Sequence, residues 1–180
     1  MPLRLSRDQF QAWAETQPRG RFERVEGEVV ARAPERWAHA RLKARIWRAL
    51  DREIRNSGLA CEALPDGITV EIGEDTDYEP DAVVNCGDLL PDDAVAATDP
   101  IVIVEVLSPS TSAEDFAGKL ADYFRVPSIR HYLIVRAKRR EVIHHSRGAN
   151  GTVVTRTYIS GQIRLDPPGI NLAVDEIYSA

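Results

Sequence analysis

The chain has 180 residues, enough for one domain with a sizeable core, and its 43% hydrophobic and 28% charged content is ordinary for a globular protein. No apolar run approaches the roughly 20 residues a membrane-spanning helix needs, and Met1–Arg7 lacks the apolar centre of a signal peptide, so a cytoplasmic protein without a membrane partner is expected. The net charge of −5 argues against a tight, sequence-independent nucleic-acid binder, although a local basic patch can outweigh the sum.

In chain order, Ser6 and Gln9 form a capping box ahead of Phe10, Trp13 and Ala14, predicting a helix over about 6–16. Two short strands over 21–33 turn at Gly27, and a long helix follows over 35–57, ending at Asn56 and Gly58. Segments 60–64 and 68–72 are strands around Pro65-Asp66-Gly67, and further strands cover 81–86 and 101–107. Thr111 and Glu114 cap a helix ending near Arg125. Strands near 130–135, 140–146 and 152–158 and a terminal helix near 173–178 complete an α+β reading, with a mixed sheet flanked by helices and extra hairpins in one domain over 1–180. Cys61 and Cys86 lack metal-ligand spacing and are expected to be buried, reduced and independent.

Glu105 interrupts the apolar run Ile101-Val102-Ile103-Val104 and Val106-Leu107. A buried carboxylate is costly unless it is paired, hydrogen-bonded or metal-bound, though a strand-end glutamate reaching solvent fits position alone equally well. On the next helix Asp115, Lys119 and Asp122 share a polar face with Tyr123 at its edge, and the short connection brings Lys119 toward Glu105. A solvated Asp115–Lys119 pair is the plainer alternative. Asp81 begins a neighbouring strand after Pro80. Two such carboxylates make a hard, oxygen-rich site suited to Mg²⁺, with Mn²⁺ as substitute, and a nearby lysine can orient water or neutralise phosphate.

The run Tyr78-Glu79-Pro80-Asp81, then Ile103-Val104-Glu105-Val106-Leu107-Ser108-Pro109-Ser110-Thr111, then Asp115, Lys119 and Tyr123, resembles the Uma-type family of the PD-(D/E)XK nuclease superfamily. Glu23, Gly27, Glu28 and His39 are weaker matches. The resemblance implies a restriction-endonuclease-like core and a metal-dependent endonuclease acting on DNA. It implies Asp81 and Glu105 as metal carboxylates and Lys119 as the catalytic amine. Glu28, His39, Glu79, Ser108, Asp115 and Tyr123 are supporting candidates, and a homodimer is in keeping with such folds. The superfamily's usual lysine position, two residues after the glutamate, holds Leu107, and Arg136 stands where the family often has aspartate. A catalytically silent interaction module of the same fold and a metal hydrolase of a small phosphorylated substrate remain as alternatives.

The long helix also carries Arg41, Arg45, Arg48, Arg52 and Arg55 in one stripe opposite Leu42, Ile46, Leu50 and Ile54. That stripe is either a solvated face or a track for a phosphate backbone. His144 and His145 alternate faces of one strand and cannot both line one site.

Overall fold

Three consecutive apolar strands set the architecture. A computed structural model describes residues 3–107 and 113–179 and, in the helix that starts at residue 113, the side chains from Gly118 onward. Strands β6 (Ala82–Cys86), β7 (Pro100–Leu107) and β8 (His131–Arg136) are buried almost throughout, as near-continuous apolar runs require. They form the middle of a six-stranded sheet with β3 (Cys61–Pro65) at one edge, and β9 (Val142–Arg147) and β10 (Val153–Tyr158) at the other. The order is β10-β9-β8-β7-β6-β3. Every neighbouring pair is antiparallel except β7 and β8. A parallel pair needs a crossover, and α3 (Ala113–Tyr123) falls between its two strands.

Each face of this sheet has its own core. On one, Leu42, Ile46, Leu50 and Ile54 of α2 (Trp37–Ser57) pack over Val102, Val104, Leu133 and Val135. The hairpin of β11 (Gln162–Leu165) and β12 (Ile170–Ala173), with α4 (Val174–Tyr178), completes that layer. On the other face Val83, Ile103, Tyr132 and Ile134 meet Tyr123 of α3. Val70, Ile72 and Tyr78 join them from a second sheet of order β2-β1-β5-β4. Its strands are β1 (Phe22–Val25), β2 (Glu28–Ala31), β4 (Val70–Ile72) and β5 (Thr76–Tyr78), and α1 (Arg7–Glu15) precedes it in the chain.

The α+β class, the mixed sheet and the flanking helices stand as expected, and Ser6–Gln9 is a reciprocal capping box. The Thr111–Glu114 cap and Ser108 lie outside the described residues, as does the side chain of Asp115. Three expectations are corrected. The Pro65-Asp66-Gly67 turn does not close a hairpin: β3 pairs with β6 and β4 with β5, so the turn carries the chain between sheets. Strand β5 and the β11–β12 hairpin were not predicted, because short strands rich in polar or turn-forming residues carry little periodic signal. The cysteines are not independent thiols. Antiparallel register sets Cys61 directly opposite Cys86, and the two form a disulfide.

Among the described residues no helix is long and apolar enough to cross a membrane.

Candidate active site

The site assembles where β6 begins and β7 ends. The ladder pairs Ala82 with Val104, and the Asp81 N–H still donates to the Val104 carbonyl at 2.9 Å. Continuing that register by one residue sets Asp81 across from Glu105. Side chains directly opposite on antiparallel strands lie close, and like charges there repel. Both carboxylates are buried, at 2% and 4% exposure. Burial pushes the Asp81 carboxyl above its usual range, and the neighbouring Glu105 charge adds to the rise. Asp81 keeps one strong backbone contact: the Val106 N–H donates to Oδ2 at 2.7 Å.

Helix α3 supplies the first partners of Glu105. Lys119 and Tyr123 are one helical turn apart, so they project together. Both donate to Glu105 Oε1 at 2.9 Å. Lys119 also donates to Glu23 Oε1 at 2.9 Å and lies 4.7 Å from the centre of the Tyr78 ring. Burial acts to lower the Lys119 ammonium, but Glu105 and Glu23 outweigh it, and the group titrates above its ordinary value. The Tyr123 hydroxyl is likewise raised, first by complete burial and then by Glu105. Lys119 is therefore a permanent cation and Tyr123 a permanent donor near neutrality.

A second cation comes from beyond β2. Arg32 Nη2 is 3.4 Å from Asp81 Oδ1 and 3.9 Å from Glu105 Oε2, and Nη1 is 3.8 Å from Glu23 Oε1. Burial opposes its charge, yet the three carboxylates raise the guanidinium above its usual value. Helix α2 adds His39, whose Nε2 is 2.8 Å from the Val106 carbonyl oxygen and 3.7 Å from Asp81 Oδ2. Its Nδ1 is 2.7 Å from Glu35. One turn later Lys43, almost fully buried, donates to Asp66 at 2.5 Å, pairs with Glu35, and sits 3.7 Å from Asp81 Oδ1.

The fold thus brings Asp81, Glu105, Lys119, Tyr123 and His39 together. Tyr123 acts on Glu105 directly. Two supporting candidates fall elsewhere. The Glu28 side chain pairs with Arg4 on the far end of the hairpin, so the hairpin's contribution is Glu23 instead. The Glu79 side chain pairs with Arg21 at 3.1 Å, and only its backbone reaches the cluster, its N–H donating to Glu23 at 3.2 Å. Arg32, Glu35, Lys43 and Asp66 were not predicted as participants. Their signal is weak, since each is a lone charge in a loop or on a helix face and becomes informative only once the fold sets it beside another.

The charges do not cancel. Glu23, Glu35, Asp66, Glu79, Asp81 and Glu105 outnumber Arg21, Arg32, Lys43 and Lys119 by two, before any charge on His39. An all-oxygen donor pair within a cluster of excess negative charge suits a small divalent cation that retains several waters. Asp81 and Glu105 would hold it; among the described residues no third acidic, histidine or cysteine side chain completes a ligand cage.

Comparison with known proteins identifies the family and the fold. A model of the Uma2 family, described as "Putative restriction endonuclease", matches residues 7–175. The uncharacterized protein slr1290 of Synechocystis sp. (strain ATCC 27184 / PCC 6803 / Kazusa) is 28% identical over 177 residues, covering 97% of this chain and 92% of the relative. The crystal structure of a putative nuclease belonging to DUF820 from Anabaena variabilis ATCC 29413 superimposes with a TM-score of 0.76 at 13% identity. The match covers 97% of this chain and 98% of that one, and it shows a shared fold.

Proposed function

The chain belongs to the Uma2 family, and from that premise we propose that it is a divalent-metal-dependent endonuclease hydrolysing phosphodiester bonds in DNA. The observation that carries this reading is the buried pair Asp81 and Glu105, placed across one register position with Lys119 on the second carboxylate. Bound there, Mg²⁺ or Mn²⁺ would supply Lewis acidity and neutralise the charge that builds on the phosphate during attack.

The protein's own groups set the stage for that charge. Lys119, kept protonated between Glu105 and Glu23, serves as a cation that orients the attacking water or a phosphate oxygen, not as a base. Tyr123 fixes one oxygen of Glu105, leaving the other toward Arg32. The Val106 N–H and His39 fix the strand end that presents Asp81. Arg32, beside both carboxylates, is a second cation placed to meet a phosphate oxygen.

Incubation of supercoiled plasmid with purified protein and Mg²⁺ or Mn²⁺ should give nicked or linear product, and Asp81→Asn and Glu105→Gln should not. Equal behaviour of wild type and both variants across duplex and single-stranded substrates would sink the catalytic claim.

One observation favours a second reading, a silent interaction module. Arg32 and Lys119 already contact the carboxylates that a metal would need. Calorimetric titration with Mn²⁺ separates the two, because a silent module gives no heat that depends on Asp81. Competition of polynucleotide against mononucleotide separates either from a small-substrate phosphohydrolase. A cytoplasmic location and a homodimer, whose two-fold would let two sites cut two strands, belong to the same proposal; sedimentation with and without DNA tests the latter.

A further inference from the structure

The acidic chain would be a poor DNA binder if its charge were spread evenly. It is not. At about 100° per residue, Trp37, Arg41, Arg45, Arg48, Arg52 and Arg55 fall within roughly 80° of arc on α2. The stripe lies opposite Leu42, Ile46, Leu50 and Ile54, which anchor the helix in the core. With a rise of 1.5 Å per residue it is about 27 Å long. Arg41, Arg48, Arg52 and Arg55 are exposed and Arg45 is half-buried, lining a shallow cleft with Arg48, Arg52 and Glu176. Arg52 pairs with Glu176 and Arg55 with Asp51, but Arg41, Arg45 and Arg48 have no ion-pair partner among the described residues.

At the head of the stripe stands Trp37, 80% exposed, two residues before His39. Scattered exposed apolar groups are ordinary, but tryptophan is the largest and seldom so bare. Here it continues a row of arginines and begins at the end of α2 that carries the candidate site. A positive groove with an aromatic platform is the usual chemistry of single-strand recognition, since arginines track phosphates and every base has a face to stack.

We propose that the outer face of α2 is a docking track for the sugar–phosphate backbone of DNA, with Trp37 as the stacking platform for an unpaired base beside the site. The proposal rests on the nuclease reading above and adds a surface and a substrate form to it. DNA is held along Arg41, Arg45 and Arg48, away from the acidic cluster that would repel it, and one end is delivered to the carboxylates.

The test is fluorescence anisotropy in metal-free buffer at several salt concentrations, with a labelled DNA longer than the stripe, presented as single strand and as duplex. Wild type should bind both. The triple variant R41Q/R45Q/R48Q should weaken binding tenfold or more, and should lower the duplex salt slope by about 2.7, at roughly 0.9 per lost phosphate contact. The triple lysine variant should retain most of that slope. Trp37→Ala should weaken single-strand binding about tenfold while leaving duplex binding nearly unchanged, and Trp37→Phe should restore it. All these positions lie on the solvent side, and coincident thermal unfolding checks that each variant is folded.

Binding by the glutamine variant with wild-type affinity and slope would overturn the track, as would no binding by wild type or equal competition by polyglutamate. If the glutamine variant binds normally and still cuts, the track fails and the nuclease reading stands. Glutamine-sensitive binding without cutting under any divalent cation keeps the track and removes the nuclease.

Discussion

Two buried ionic clusters each straddle neighbouring antiparallel strands, β1 and β5 for one and β6 and β7 for the other, yet they are built to opposite ends. Around Asp77 every charge is answered. Arg24 Nε donates to Oδ2 at 2.6 Å and Arg7 Nε to Oδ1 at 2.8 Å, Arg7 Nη1 pairs with Glu71 at 3.4 Å, and the Nη2 groups of Arg24 and Arg7 donate to the carbonyls of Glu74 and Gly73. Around Asp81 and Glu105 two carboxylates face one another, and Arg32 stands off at 3.4 and 3.9 Å. The first cluster staples α1 and the second sheet together. The second tolerates repulsion, which a structural role does not require. Burial of charge does not by itself mark a functional site; two buried carboxylates set against one another are the better sign.

The largest expected effect tests the balanced side. Asp77→Ala leaves Arg24 buried without its partner and should cost about 3–5 kcal/mol in urea unfolding. Asp81→Asn and Glu105→Gln should leave stability unchanged or slightly raised, because each removes one of two repelling charges. A comparable loss from either would erase the distinction between the clusters.

Next comes rate. Lys119→Ala should lower metal-dependent DNA cleavage about 100- to 1,000-fold, the usual cost of removing one donor to developing charge. Single-turnover kinetics on plasmid reads this directly, and an unchanged rate would return Lys119 to the structural class of Arg24.

Third, a cation should repair the imbalance. Mn²⁺ at about 100 times its dissociation constant should stabilise wild type by roughly 2.7 kcal/mol. Asp81→Asn and Glu105→Gln should lose that gain in thermal unfolding, whereas an Asp77 variant that still folds should keep it.

The smallest effect concerns buried polarity without charge. His131 Nδ1 and His144 Nε2 are 2.9 Å apart on β8 and β9. Burial, reinforced by His131, depresses His144 to about 4. The unfolded chain gains a proton near the ordinary histidine value of about 6.5, while the folded form resists it until about 4. The penalty is therefore absent above about pH 6.5, grows as pH falls, and levels off below about 4. Urea midpoints across that window should fall with acidification in wild type and flatten in His144→Gln. No flattening would place the acid sensitivity elsewhere.

Local sequence was enough for some of this. The apolar run around Glu105 dictated a central strand, and helical spacing of Lys119 and Tyr123 dictated that they project together. Those are short-range consequences of backbone period and of the cost of burying charge. What the tertiary structure alone decided is which charges meet. Register brought Asp81 opposite Glu105, exchanged Glu28 for Glu23, and kept only the backbone of Glu79. It also drew Arg32 and Lys43 inward and joined Cys61 to Cys86. Each of these pairs is far apart in the chain, and a strand's period says which face a side chain takes but not which partner it finds there. The residues were legible one by one, whereas the apposition of two buried carboxylates exists only in the folded chain.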